Sequence, residues 1–371
     1  LLLCNHKLTY KLMIIWLSYF VFFLVPFTIL NNLNYPIGIF FIVQFSLLPG
    51  MIFYFQFCLE NNNPWSLLIK IDRIIYIVAI ISLICWFMFS ILKLVNPTSY
   101  VYTDWGALRA IPSFYGIYFE TQPVSVYGIS IVRNTAFFTE GPMYAFVLSI
   151  SFIFKMFLFK KNIREIIVII FAMLSTITST TLIIIILVVF FKYLKNSKNH
   201  LVNTFKYALL PIFIIIFLIT IVVVLEKKSQ GGESFGIRVD DIHAALLTWL
   251  KHPFIGSGIG NFESLIADMN TTRTQFKTPI EIGFSSGLFQ VLALGGLPLT
   301  FVYVYPIVAF AIRQHSKRGV YALAFSSIVI VIFITSIVTY EWLFMILLIM
   351  LYVNSLRETD TYANGISNSH V

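Results

Sequence analysis

Runs of apolar residues long enough to cross a bilayer recur along this chain, and they leave little else for it to fold into. A helix rises about 1.5 Å per residue, so about 20 apolar residues match a hydrocarbon core about 30 Å thick. Such stretches occupy 12–30, 37–59, 71–95, 142–159, 205–225, 286–312 and 319–338. They lack the apolar/polar alternation of a transmembrane barrel strand. Of the 371 residues, 59% are hydrophobic and 11% charged, a balance that would load a water-soluble domain with exposed apolar surface. The expected fold class is an all-α polytopic membrane protein, one integral domain over residues 1–371. No small-residue cleavage site follows the first apolar stretch, and Leu12 to Leu30 is long enough to span, so no cleavable signal is expected.

Two segments need a finer reading. Arg164 to Phe191 could be one long helix, but Lys160, Lys161 and Arg164 precede it while Lys192, Lys195, Lys198 and Lys206 follow it. A single span would put one basic cluster outside, against the positive-inside tendency. Its centre, Ser175-Thr176-Ile177-Thr178-Ser179-Thr180-Thr181, is polar and β-branched. The segment is therefore expected to be a hairpin, 165–178 and 180–191, with its tip below the outer surface in a protein-walled or water-filled cavity. By the same logic 319–355 is a pair of helices turning near Thr339-Tyr340-Glu341-Trp342.

These segments add up to about ten membrane helices, some short or hairpin-like, with both termini on the cytoplasmic side. Under that topology the inner segments hold 16 Lys/Arg against 5 Asp/Glu and the outer ones 9 against 11. The net charge of +9 is then a record of topology rather than a nucleic-acid surface. Two large extracytoplasmic loops result, 96–141 and 226–285, together with a polar cytoplasmic tail at 358–371. Cys4, Cys58 and Cys85 lie in or beside apolar segments, so they read as small core hydrophobes and not as a disulfide framework.

In a chain so poor in charge, the charges of the outer loops are where chemistry is expected. In the second loop Val239, Ile242, Leu246 and Trp249 recur at helical spacing, so Arg238 to Leu250 should be an amphipathic helix stopped by Pro253. Arg238 and Asp241 stand three apart and can share a face. A cation in the first turn gains nothing from the helix dipole, which fits either a ligand-binding arginine or a solvated, salt-bridged one. Gly256, Gly258 and Gly260 follow at alternate positions in His252-Pro253-Phe254-Ile255-Gly256-Ser257-Gly258-Ile259-Gly260-Asn261-Phe262. They permit positive φ and close approach of amides to an anion, and equally a plain connector between helices. The spacing is neither a dinucleotide fingerprint nor a P-loop.

The first loop ends in Arg133-Asn134-Thr135-Ala136-Phe137-Phe138-Thr139-Glu140-Gly141-Pro142. Arg133 and Glu140 adjoin the start of a membrane segment, where an ionisable group is costly unless partnered or functional; they could partner each other. Upstream aromatics, Tyr100, Tyr102, Trp105, Phe114, Tyr115, Tyr118 and Phe119, could stack on sugars or form an interfacial belt. His243 and His252 with Asp240 and Asp241 match no metal-ligand spacing, and no metal or cofactor is expected.

Taken together, the Gly236 to Phe262 run with its HPFIGSGIGNF turn, the RNTAFFTEGPMYAF stretch and the STITSTT tip resemble bacterial O-antigen and capsular polysaccharide polymerases and the related O-antigen ligases. The resemblance covers roughly a third of the chain by its motifs. It implies a membrane glycosyltransferase acting on undecaprenyl-diphosphate-linked oligosaccharides, at the outer face of the bacterial cytoplasmic membrane, without a metal. An acceptor sugar hydroxyl would attack the anomeric carbon of the donor chain and the lipid diphosphate would leave. The implied catalytic residues are Arg133, Glu140, Arg238 and His252, with the arginines on the diphosphate and Glu140 or His252 taking the proton. Asp241, Gly256, Gly258, Gly260 and Arg273 are the implied substrate-binding residues. A chain-length regulator and a flippase of the same pathway are the implied protein partners.

Ligases of this group carry a His-Asn pair just before the helix that follows the large loop. Here that position reads Gly283-Phe284-Ser285-Ser286-Gly287, which favours a polymerase over a ligase. A flippase or other transporter is the other alternative, and it would place ionisable residues on broken helices at mid-membrane.

Overall fold

The computed structural model describes residues 6–31, 37–61, 65–103, 109–121, 123–126, 129–159, 162–194, 234–275 and 282–356. The span expected at 205–225, Trp105 and the tail at 358–371 lie outside the described residues. The described chain is mostly helical, and five of its helices are long and apolar enough to cross a membrane: Met13–Asn31, Ile37–Glu60, Ser66–Ile91, Gly141–Leu158 and Gly287–His315. Shorter apolar helices cover Ser179–Tyr193, Val320–Thr335 and Trp342–Ser355.

Helix α1 runs through His6–Tyr19, a π-helical turn Phe20–Leu24 and Val25–Asn31; α2 is Ile37–Glu60; α3 is Ser66–Cys85 with a π-helical end at Trp86–Ile91. The first large loop follows. Helix α4 is Gly141–Ile153, ending in a π-helical turn Phe154–Leu158. The expected hairpin is present as α5 (Ile163–Ser175) and α6 (Ser179–Leu194), joined at Thr176–Thr178, with Ile177 at φ 49°. The second large loop contributes α7 (Ser234–Lys251) and the short α8 (Phe262–Ala267) and α9 (Thr271–Thr274). Helices α10 (Gly287–Arg318), α11 (Val320–Thr335) and α12 (Trp342–Ser355) complete the bundle, with the turn between the last two where it was expected.

The first large loop adds β structure to the all-α expectation. β1 (Ser99–Thr103), β2 (Arg109–Phe114) and β3 (Tyr118–Phe119) form an antiparallel sheet, and β4 (Pro123–Val126) pairs with β5 (Ile129–Val132). The segments Ser99-Tyr-Val-Tyr-Thr and Ile129-Ser-Ile-Val are β-branched or aromatic at alternate positions, which suits a pleated, half-buried surface better than a helix. Phe114 and Tyr118 are buried with Cys85 and Phe89 beneath this sheet, so they are core and not sugar platforms. Tyr100, Tyr102 and Tyr115 are exposed.

The contacts sort into two ends of the bundle. At one end Lys192 of α6 lies over the rings of Phe157 and Tyr321, at the end of α4 and the start of α11. Arg313 and Gln314 of α10 bond the backbone at Ser355 and Asn354 there. The same end holds a buried cluster that motif reading passed over: Lys155 pairs with Asp72 at 2.6 Å and with Glu165, and Ser151 donates to Asp72 at 2.6 Å. The charges are therefore not confined to the outer loops. At the other end Asn31 of α1, the tip of the α5/α6 hairpin and the turn after α11 meet both large loops.

Candidate functional site

Asn134 is the hub on the side of the first loop. It is fully buried; its backbone N–H donates to the Ser175 carbonyl at 3.0 Å, and its side-chain amide donates to Ser175 Oγ at 3.0 Å and Ser82 Oγ at 3.2 Å. Its Oδ1 accepts the Ala136 N–H, and Ser82 shares a 2.6 Å bond with the Tyr144 hydroxyl. The end of the first large loop is thus tied to α3, α4 and the hairpin tip together.

That fastening fixes Arg133, the preceding residue. Its Cδ lies 3.3 Å from where a Cβ on Gly141 would stand, beside Thr178 Cγ2 at 3.6 Å and the Thr176 carbonyl at 3.7 Å from the same point. The absence of a side chain at Gly141 lets the arginine cross the start of α4 to the hairpin tip. The Arg133 Nε is buried with no hydrogen-bond partner among the described residues, and burial lowers the pKa of the guanidinium. A cation drawn out of water in this way gains from any anion that reaches it.

Glu140 is the N-cap residue of α4, but its carboxyl makes no capping bond. Burial pushes its pKa up to about 7, against a lowering influence from Arg109. The carboxyl is therefore available to exchange a proton near neutral pH, where a general base works best.

On the second-loop side α7 forms as expected and lies against α10, although its buried face is not the apolar stripe. Asp241, Ala244, Ala245 and Thr248 are buried; Val239 is exposed, and Ile242, Leu246 and Trp249 are only half-buried. Small side chains allow close approach of helices, which explains why they, and not the large apolar ones, face the protein.

Asp241 accepts from Arg273 Nη1 at 2.6 Å and from the Ser285 hydroxyl at 2.5 Å. Burial raises its pKa against the lowering pull of those two partners. Arg273 also bonds Asp240 at 3.1 Å and the Gly283 carbonyl at 2.6 Å. Both residues expected to bind substrate are thus occupied in holding the loop together. Among the described residues Arg238 makes one long bond, 3.5 Å, to the carbonyl of Thr335 at the end of α11. Burial lowers the pKa of Arg238, partly offset by the nearby Asp241. Because α11 packs against α6, Arg238 and Arg133 are carried at the same end by neighbouring helices.

Gly256, Gly258 and Gly260 all have positive φ, at 78°, 117° and 84°. The amides they expose are spent on the protein: Ser257 N–H donates to Ala293, Gly258 N–H to Leu294 and Ile259 N–H to Asn31 Oδ1. Asn31 in turn donates to the carbonyls of Ile255 at 2.6 Å and Leu294 at 3.0 Å. The turn is a clasp closed on a break in α10, where Gly296 takes φ 65°. A Cβ on Gly256 would stand 2.3 Å from the Leu294 carbonyl oxygen. The structure places these glycines in the frame around the site.

His252 is exposed just beyond the C-terminal end of α7, about 20 Å along the helix from Arg238 at 1.5 Å per residue. The structure thus sets Arg133 against Gly141, the residue after Glu140, with no ion pair between the two among the described residues, and carries Arg238 at the same end, while separating His252 from them. Among the described residues no three His, Cys, Asp or Glu side chains gather as a metal site. No protein-family model matches the chain, and no curated protein sequence matches it.

Proposed function

We propose that this protein is a polysaccharide polymerase of the bacterial cytoplasmic membrane, with about ten membrane segments and both termini in the cytoplasm. It joins undecaprenyl-diphosphate-linked oligosaccharide repeat units at the outer face. The carrying observation is Arg133, with its buried, unpartnered Nε, seven residues before a carboxyl whose pKa lies near 7, both at the start of α4. In this reading the Glu140 carboxylate takes the proton of the acceptor hydroxyl as that oxygen attacks the anomeric carbon. The bond from that carbon to the diphosphate breaks, and Arg133 and Arg238 stabilise the charge that develops on the leaving oxygens. The turn at Gly283–Gly287 supports polymerase over ligase, since Ser285 stands where the ligase motif has its histidine region, and its hydroxyl is committed to Asp241.

A transporter reading has one observation behind it, the buried Asp72–Lys155–Glu165 cluster, because ionisable groups inside a bundle often mark a translocation path. Gel sizing of surface polysaccharide in a deletion strain separates the readings. Loss of the long-chain ladder with single repeat units still attached is the expected result. Long lipid-linked polymer that never reaches its acceptor would indicate a ligase, and single units trapped on the cytoplasmic side a flippase.

A further inference from the structure

Helix α7 is built inside-out for a helix in water. Its protein-facing side carries an acid and small residues, Asp241, Ala244, Ala245 and Thr248, while its opposite side carries the large apolar ones. Val239, Leu247 and Leu250 lie on that outward side at helical spacing, with His243 among them, and Phe254 extends the line past the end of the helix. Leu250 is 65% and Phe254 73% exposed. The polar surface of the same loop is elsewhere: α8 and α9, which carry the exposed Glu263, Thr271 and Thr272, pack over the buried side through Leu265 and Met269.

The apolar stripe also has a continuation. The Pro253 carbonyl accepts the Leu297 N–H at 3.2 Å, so Phe254 sits beside the start of the second half of α10. Leu297 and Phe301 there are exposed residues of a membrane-length helix. Through Asn31 the same turn is fastened to the end of α1, whose Ile29 and Leu30 are 74% and 62% exposed. Side chains exposed on a membrane-length helix are those that meet lipid, and the outward stripe of α7 leads toward them, with His243 within it and the exposed Lys251 and His252 between Leu250 and Phe254.

We infer that α7 is an interfacial helix, with Val239, Leu247, Leu250 and Phe254 resting on bilayer lipid at the membrane surface reached by the end of α1 and the break in α10. A helix with segregated faces lies in the plane of the interface with its apolar side in the headgroup and acyl boundary. The occupant is lipid and not a second protein, because the stripe shares its surface with the lipid-facing flanks of α1 and α10. The inference stands on geometry and does not depend on the polymerase reading. If that reading holds, the helix sets Arg238 at the depth of lipid headgroups, where a membrane-anchored diphosphate would lie.

The test uses the full chain with Cys4, Cys58 and Cys85 replaced by Ala, in vesicles of phosphatidylethanolamine and phosphatidylglycerol. Single nitroxide-labelled cysteines at Val239, Leu250 and Phe254 are compared with Phe301 as a span control and Glu263 and Thr272 as aqueous controls. Collisions with oxygen, which concentrates in lipid, and with a water-soluble nickel chelate report depth. The expected result is an oxygen-to-nickel ratio at Leu250 and Phe254 several-fold above Glu263 and on the side of Phe301. Nickel access equal to Glu263 would put the stripe in water, and shielding from both reagents would put a protein on it; either overturns the inference. A thermal midpoint in detergent unchanged from that of the cysteine-free protein shows, for each variant, that the fold is intact.

Discussion

Arg273 donates to the fully buried Asp241 carboxylate at 2.6 Å, while Arg238, on the same helix as Asp241 and one turn before it, reaches among the described residues only the Thr335 carbonyl at 3.5 Å. Two arginines of the same loop are thereby given different work. Removing Arg273 strands a buried carboxylate, so Arg273→Ala should destabilise the protein by about 3–5 kcal/mol, read as a lower thermal midpoint in detergent. Arg238→Ala removes one weak bond and should cost about 1 kcal/mol or less, yet polymer formation should fall about 10²–10³-fold. Arg238→Lys should rescue poorly, because an ammonium lacks the planar pair of donors that grips a diphosphate. The opposite pattern, a stable but inactive Arg273→Ala, would exchange the two roles.

Glu140 gives a pH signature with a definite sign. Its pKa rises from 4.5 to about 7 because burial penalises the charged form. Acting as the base, it should give activity that climbs with pH and has a midpoint near 7, and Glu140→Gln should remove both the activity and that limb. Stability should run the other way. Between pH 4.5 and 7 the folded state binds the proton that the unfolded state has released, so this group's contribution is complete below the lower value and is lost as pH rises through the upper one. Thermal midpoints measured across that window in wild type and Glu140→Gln should converge toward acid and separate toward alkali, with the variant the more stable there.

The hairpin at Thr176–Thr178 was legible because two local signals agree on it: lysines on both flanks and a run of hydroxyl side chains in the middle. The orientation of α7 was not legible in the same way. Periodicity reveals that Val239, Ile242, Leu246 and Trp249 share a side, but it does not say whether that side meets protein or lipid. In a membrane protein the small residues take the protein side. The sheets of the first loop were written in the alternation of Ser99-Tyr-Val-Tyr-Thr, a short signal overshadowed by the helical runs around it. Asn134 carried no signal beyond standing next to Arg133, since a hub is made by residues as distant in the chain as Ser82 and Ser175. Lys155 and Asp72 are likewise a pair that only the folded bundle brings together.

That pair supports a prediction about the opposite end of the molecule. Lys155 is buried between Asp72 and Glu165, and Asp72 also accepts from Ser151. Lys155→Met leaves a carboxylate in the bundle without its cation and should cost about 3–5 kcal/mol. Asp72→Leu combined with Lys155→Met removes both charges of the more deeply buried pair and should recover most of that loss, since replacing a whole buried pair by apolar groups is often close to neutral. If the cluster only pins α3, α4 and α5 together, the double variant should also keep its polysaccharide ladder. A stable double variant without a ladder would move the cluster from architecture into the transport or catalytic path.

The glycine clasp can be tested by the size of a single methyl group. Gly256 has φ 78°, and a Cβ there would lie 2.3 Å from the Leu294 carbonyl oxygen and 2.4 Å from its carbon, which are backbone atoms and cannot swing aside. Gly256→Ala adds left-handed backbone strain to overpacking and should cost about 2–4 kcal/mol. Gly236 is the contrasting position: a Cβ there meets nothing within 4 Å, so Gly236→Ala should be close to neutral in stability. The clasp also holds Asn31 through three hydrogen bonds, so Asn31→Ala should loosen the same junction and leave the Ile259 N–H and the Ile255 carbonyl without that partner. Hydrogen exchange at Ile259 reads this directly. Its amide should exchange at least tenfold faster in Asn31→Ala and in Gly256→Ala than in wild type, while unchanged protection would show that α1 and the glycine turn are held together by something other than this clasp.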